Sequence, residues 1–233
     1  MTTAAFSRPT DLGWQNRDAL RAMQTRLLNE HLRHCRQHSP FYRKLLAGLP
    51  ERDLTLEDLS QLPTTSKQDL SLHNQDFIAQ GQQAADLCFT SGTTGTPCQI
   101  AYSQRDLDRL AYNDAVGFLA AGFLPGQRIL LTCTIDRCFI AGLAYYRGVV
   151  AMNAAAIRNG LNTIESHAQI ISALRPEGIV GVPSFLAKLG AHLAEQGVDA
   201  SSVKKIVCIG EPIRRQDMSL TPLGQKLETF WPE

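Results

Sequence analysis

Arg128-Ile129-Leu130-Leu131-Thr132-Cys133, Gly178-Ile179-Val180-Gly181-Val182 and Lys204-Lys205-Ile206-Val207-Cys208-Ile209 are three short apolar runs, rich in branched side chains, each the length of one buried strand. Helical patterns separate them. Phe139 to Tyr146 reads as one helix, and Val149-Val150-Ala151-Met152 then leads into a further strand. Thr163 to Leu174 reads as the next helix, and Pro183 opens another at its favoured first-turn position, ended by Gly197. This alternation predicts an α/β fold with a helix-covered, largely parallel sheet. The right-handed crossover rule gathers the carboxyl ends of such strands on one rim, where small molecules bind.

Upstream the pattern is helical. Leucines and charges recur at helical spacing from Asp18 to Arg36, and Ser39-Pro40 stops that helix. A short helix is expected from Phe41 to Leu46. Ser66 reads as an N-cap with Asp69 three residues on. Ser103 reads as the N-cap of a helix to about Ala121, with Leu107, Leu110, Ala111, Ala115 and Phe118 on one face. The expected division is a helical N-terminal lead-in over residues 1–80 and an α/β nucleotide-binding part over 81–233.

Composition narrows the function classes. With 44% hydrophobic and 19% charged residues, a chain of 233 residues can bury a substantial core. A formal charge of +1 makes no global case for nucleic acid or an anionic membrane. No stretch is apolar enough to span a bilayer, and the first residues show no secretory h-region. Six cysteines at 35, 88, 98, 133, 138 and 208 form no C-x-x-C pair, which suits a reduced, cytoplasmic protein. Cys133 and Cys138 read as packing residues. His31, His34 and His38 lie among arginines, so a solvated basic helix face is favoured and no metal is expected.

Thr90-Ser91-Gly92-Thr93-Thr94-Gly95-Thr96-Pro97 has no apolar side chain and so cannot pack a core. Its hydroxyls and backbone N–H groups suit a polyphosphate, although a plain surface turn is the simpler reading of any Gly/Thr-rich segment. No lysine follows Gly95, which excludes the Walker loop. Leu87-Cys88-Phe89 before it and Pro97 to Tyr102 after it read as extended. On the expected rim, Thr134-Ile135-Asp136, Pro183-Ser184 and Gly210-Glu211-Pro212 each follow a strand. On spacing alone, a ligand-binding role and a plain turn or helix start are equally good readings of these residues.

The glycine-threonine loop between two strands resembles the phosphate-binding loop of the adenylate-forming enzymes, the superfamily of acyl-CoA synthetases, adenylation domains and luciferases. His38-Ser39-Pro40-Phe41-Tyr42-Arg43-Lys44-Leu45 is similar to an early segment of its phenylacetate–CoA ligase branch, and Leu62-Pro63-Thr64-Thr65-Ser66-Lys67-Gln68-Asp69-Leu70 to the next. Gly181-Val182-Pro183-Ser184-Phe185 and Gly210-Glu211-Pro212 follow in the expected order. Cys98 departs from the general pattern, in which a lysine often follows the loop proline.

The resemblance implies the N-terminal part of an adenylate-forming enzyme fold. ATP, with Mg2+, would activate a small-molecule carboxylic acid as its acyl adenylate, and coenzyme A would then take the acyl group. The branch implies an aryl or arylacetic acid. Ser91, Gly92, Thr93, Thr94, Gly95 and Thr96 would hold the β- and γ-phosphates, and Gly210, Glu211 and Pro212 would border the adenine. Phe139, Gly142, Pro183 and Ser184 would line the acid pocket. The family continues through an aromatic-Gly-x-Ser/Thr-Glu segment, a ribose-holding aspartate and a C-terminal lysine. The catalytic residues are therefore expected beyond residue 233, and these residues alone are not expected to turn over. The alternatives are an enzyme that loads a carrier protein, or a non-catalytic nucleotide- or acyl-binding remnant. An unfinished sheet edge would favour a homo-oligomer.

Overall fold

The computed structural model describes residues 16–50, 52–90 and 97–231. The chain forms two compact units, divided between Leu107 and Asp108.

The first unit opens with α1 (Arg17–His38), whose N-cap Asn16 accepts the Ala19 N–H at 2.9 Å. Ser39 ends α1 and caps α2 (Pro40–Leu45), as the Ser-Pro pair predicts. Leu32 and Cys35 of α1 pack with Leu46 and Leu54 into a small core. Asn29, buried in the middle of α1, treats Leu54 as a strand partner. Its Nδ2 donates to the Leu54 carbonyl at 2.8 Å, and its Oδ1 accepts the Leu54 N–H at 2.8 Å. A 3-10 turn (Leu56–Gln61) follows, then α3 (Lys67–Leu72) and α4 (Asn74–Phe77). The expected cap of α3 is present as a reciprocal box between Ser66 and Asp69. Phe77 stacks on Phe41 with ring centroids 3.9 Å apart. β1 (Asp86–Phe89) and β2 (Gln99–Tyr102) then pair antiparallel, with Phe89 opposite Gln99.

The second unit contains the parallel sheet. α5 (Gln104–Ala120, begun by a Ser103–Asp106 box) starts before the division and runs into this unit, followed by β3 (Arg128–Leu131), α6 (Ile140–Ala151), β4 (Ala155–Arg158) and α7 (Ile164–Leu174). β5 (Gly178–Gly181), α8 (Pro183–Glu195), β6 (Lys205–Cys208) and α9 (Pro222–Phe230) complete it. The four strands run parallel in the order β4-β3-β5-β6.

Alternation along the strands sends side chains to two faces. Ile157, Leu130, Ile179 and Ile206 are register partners across the sheet and meet Ala168, Ile171, Leu186 and Leu189 from α7 and α8. Leu131, Val180 and Val207 form the row on the opposite face, against Ala115 and Phe118 of α5, Val149 of α6 and Met152 at its C-cap. β5 is buried along its whole length, as a central strand covered on both faces must be.

One expected boundary differs. Val149 to Ala151, read as part of the approach to a strand, form the last turn of α6 with Met152 as its C-cap, and the strand is Ala155–Arg158. Val149 is wholly buried against the sheet from a helical backbone, so packing outweighs the strand preference of a Val-Val pair. Asn153, at φ 59°, then turns the chain into β4.

Candidate functional site

The strand order reverses at β3. The chain passes from β3 to its neighbour β4 by α6 on one face, then crosses by α7 on the other face to β5 on the far side of β3. The β3–β5 boundary is thus a topological switch point, and the carboxyl ends of all four strands share one rim. The rim residues read from the sequence lie there.

On the β3 side, Thr134 and Asp136 share a side-chain hydrogen bond. Arg137 (φ 62°) and Cys138 (φ 54°) are consecutive left-handed residues, closed by a Phe139 N–H to Asp136 carbonyl bond of 3.3 Å. Two such residues in succession make a turn of the I′ kind, usually given to Asn and Gly. For arginine and cysteine it costs about 1–2 kcal/mol each. Such local strain is characteristic of functional loops. Cys138 is exposed there, which corrects its reading as a packing residue: the turn carries it away from the sheet. Cys133 is buried as expected, and burial pushes its thiol pKa up.

Phe139 is an exposed aromatic at the N-cap of α6. Gly142 is buried, and its α-carbon faces the Thr134 carbonyl so closely that a β-carbon would lie 1.7 Å from that oxygen. Pro183 is likewise buried, at the first position of α8. Thr134 to Arg137 face Arg158, Asn159, Gly160, Leu161 and Asn162 across a cleft of about 420 Å3 at the ends of β3 and β4. The Arg158 guanidinium lies 5.1 Å over the Tyr146 ring, a cation–π contact that steadies one wall. Sequence reasoning missed the Arg158–Asn162 wall, because the end of the strand before it was not located; Asn159-Gly160 directly after the strand is the signal that could have found it.

Beneath that wall, α7 carries a fully buried histidine. His167 Nδ1 lies 2.8 Å from the Thr163 carbonyl oxygen, and its ring meets Phe185 edge-on at 5.0 Å. Burial lowers its pKa below the usual 6.5, against an opposing pull from the Thr163 and Gly160 backbone. The folded chain therefore holds fewer protons here than the unfolded chain. Its stabilising contribution is complete above pH 6.5 and is lost as pH falls from there through the lowered folded value. Denaturation at pH 7.5 and 5.5 should show a loss of up to about 1.4 kcal/mol per pH unit from this group. In His167→Gln that part of the slope should vanish; an unaltered slope would assign the acid sensitivity to other groups.

On the β6 side, Gly210, at φ 76°, turns the chain out of the sheet, and Glu211 reaches back to α8. Its Oε2 accepts the Ser184 N–H at 2.8 Å and its Oε1 accepts the Ser184 hydroxyl at 2.9 Å. Gly210 and Pro212 are exposed, while Glu211 between them is half-buried. The structure thus joins Ser184 and Glu211 directly.

The glycine-threonine residues Ser91, Gly92, Thr93, Thr94, Gly95 and Thr96 lie outside the described residues. Their flanks are described: the Thr90 N–H donates to the Cys98 carbonyl, and the Cys98 N–H to Thr90 Oγ1, both at 3.0 Å. The loop therefore connects the two strands of an antiparallel pair, as its extended flanks predict.

The family of AMP-binding enzymes matches residues 27–226. The chain is 33% identical over 190 residues to a phenylacetate–coenzyme A ligase of Escherichia coli K12, covering 79% of this chain and 43% of that protein. It is 32% identical over 211 residues to a phenylacetate–coenzyme A ligase of Thermus thermophilus, covering 86% and 47%. The chain thus spans somewhat less than half the length of these curated relatives. In fold it is similar to a 2-hydroxyisobutyryl-CoA ligase solved with its acyl adenylate and CoA (TM-score 0.83, 19% identity, covering 93% of this chain and 48% of that one). With the parallel sheet, the rim loops and the matched segments all in place, this chain belongs to the AMP-binding, adenylate-forming enzyme family, and its relatives include the phenylacetate–CoA ligases.

Proposed function

We propose that the protein takes part in ATP-dependent activation of a carboxylic acid to an acyl adenylate, with coenzyme A as the thiol that next receives the acyl group. The carrying observation is the meeting of Ser184 with Glu211 at the strand-end rim, within a chain matched to this family over residues 27–226. Ser91 to Thr96 supply backbone N–H groups and hydroxyls for the β- and γ-phosphates, where charge develops as pyrophosphate leaves. Gly210, Glu211 and Pro212 border the adenine.

Phe139 offers an exposed aromatic face for the acid at the head of α6, one turn before the buried Gly142. That face, with the 33% identity to a phenylacetate–coenzyme A ligase, supports an aryl or arylacetic acid. Among the described residues no cluster of three or more His, Cys, Asp or Glu side chains could hold a metal. Mg2+ would enter as the partner of ATP, held mainly by phosphate oxygens. The free cysteines suit a reducing, cytoplasmic setting.

Thr94→Ala tests the phosphate loop. Titration with ATP should show about a tenfold rise in Kd, the scale of one lost hydrogen bond to a charged group, with the unfolding midpoint unchanged. Unaltered affinity would remove the phosphate role from this loop. Equilibrium binding of phenylacetate and of 2-hydroxyisobutyrate, each with ATP present, then reads the acid class: tighter binding of the aliphatic acid would overturn the aryl assignment.

A further inference from the structure

The amino end of α8 lacks a local cap. Its N-cap is Val182, which has no polar side chain, and Pro183 has no N–H to donate, so Ser184 presents the first free N–H of the helix. A carboxylate from 27 residues further on fills that position, with both oxygens bound to Ser184. The turn that carries it is tied on either side. The Ile209 N–H donates to the Gly181 carbonyl at 3.0 Å, the Thr221 hydroxyl to the Pro212 carbonyl at 3.3 Å, and the Thr221 N–H to the Ile213 carbonyl at 3.0 Å.

We propose that Glu211 is a positioning residue: its carboxylate latches the Gly210–Pro212 turn to α8 through Ser184, so that the exposed backbone of Gly210 and Pro212, and not the Glu211 side chain, meets the nucleotide. This rests on the reading of that turn as the border of the adenine. Two physical consequences follow. The helix dipole is already matched by the chain's own negative charge, so α8 does not serve as a phosphate site. The latch also couples the ends of β5 and β6, which sets the height of the turn above the sheet.

Glutamine at 211 still accepts the Ser184 N–H through its oxygen, and the serine hydroxyl can rotate to accept from its amide nitrogen. Alanine makes neither bond. The test compares E211Q, E211A, S184A and the E211A/S184A double variant, using ATP affinity and amide hydrogen exchange at Ser184 and residues 209–213. E211A should raise the Kd for ATP about tenfold and speed exchange at Ser184. S184A should weaken binding less, the double variant should be no worse than E211A, and E211Q should recover most of the affinity and protection.

If E211Q is as damaging as E211A while S184A binds normally, the carboxylate meets the nucleotide directly and the proposal falls. Unchanged exchange and affinity in E211A also overturn it. A wild-type chain that binds no ATP would defeat the nucleotide reading. Exchange then decides the latch alone: lost protection in E211A and kept protection in E211Q support it, and equal protection in both rejects it.

Discussion

Gly142→Ala should destabilise the second unit by about 3 kcal/mol or more, although alanine is the better helix former by about 1 kcal/mol. The sign is decided by backbone contact. The new methyl carbon would lie 1.7 Å from the Thr134 carbonyl oxygen and 2.5 Å from its carbon. Neither is the end of a flexible side chain, so α6 or the Thr134–Asp136 loop must shift. That loop leaves β3, whose Ile129, Leu130 and Leu131 are wholly buried and resist displacement. Thermal unfolding should show a midpoint lower by about 10 °C. A midpoint within about 2 °C of wild type would mean that the loop yields freely, and that its contact with α6 is unimportant.

Asn29→Ala should produce the largest loss in the first unit, again about 3 kcal/mol. The substitution removes few atoms, but it leaves the N–H and carbonyl of buried Leu54 without the partners that Asn29 supplies. Each orphaned group costs about 1–3 kcal/mol where water cannot replace the bond. Asn29→Asp is no rescue, because a carboxylate would face the Leu54 and Thr25 carbonyl oxygens in place of a donor. Hydrogen exchange at the Leu54 amide reads this directly, and slow exchange retained in Asn29→Ala would show that another acceptor takes over.

Features governed by neighbours along the chain were legible in the sequence. Ser66 with Asp69, Ser103 as an N-cap and Pro183 at the head of α8 lie within one turn of what they control, and each is found as read. β3 and β5 were legible because burial on both faces demands an unbroken apolar run, and β6 because Ile206-Val207-Cys208 is a short branched apolar run. The end of α6 was misread at Tyr146, because Val149 and Val150 favour a strand by type, and only the packing of Val149 against the sheet keeps them helical ahead of β4. The rim residues were legible as strand ends. Their pairings were not. Asn29 with Leu54 and Glu211 with Ser184 are 25 and 27 residues apart, and nothing local announces either contact. The strained Arg137–Cys138 turn is equally silent, since neither residue type signals a left-handed backbone.

The place of β3 in the strand order has a consequence for how the chain is made. β3 is the first strand of its sheet to leave the ribosome, yet it pairs with β4 on one side and β5 on the other. Its second partner emerges about fifty residues later, so at about 5–20 residues per second the nascent strand waits roughly 2–10 s with one edge open. During that interval Ile129 and Leu131 have α5 for cover but no Val180 beside them. Synonymous codons that slow translation between β4 and β5 should therefore lower the yield of native chain, while the same slowing placed after β6 should be tolerated.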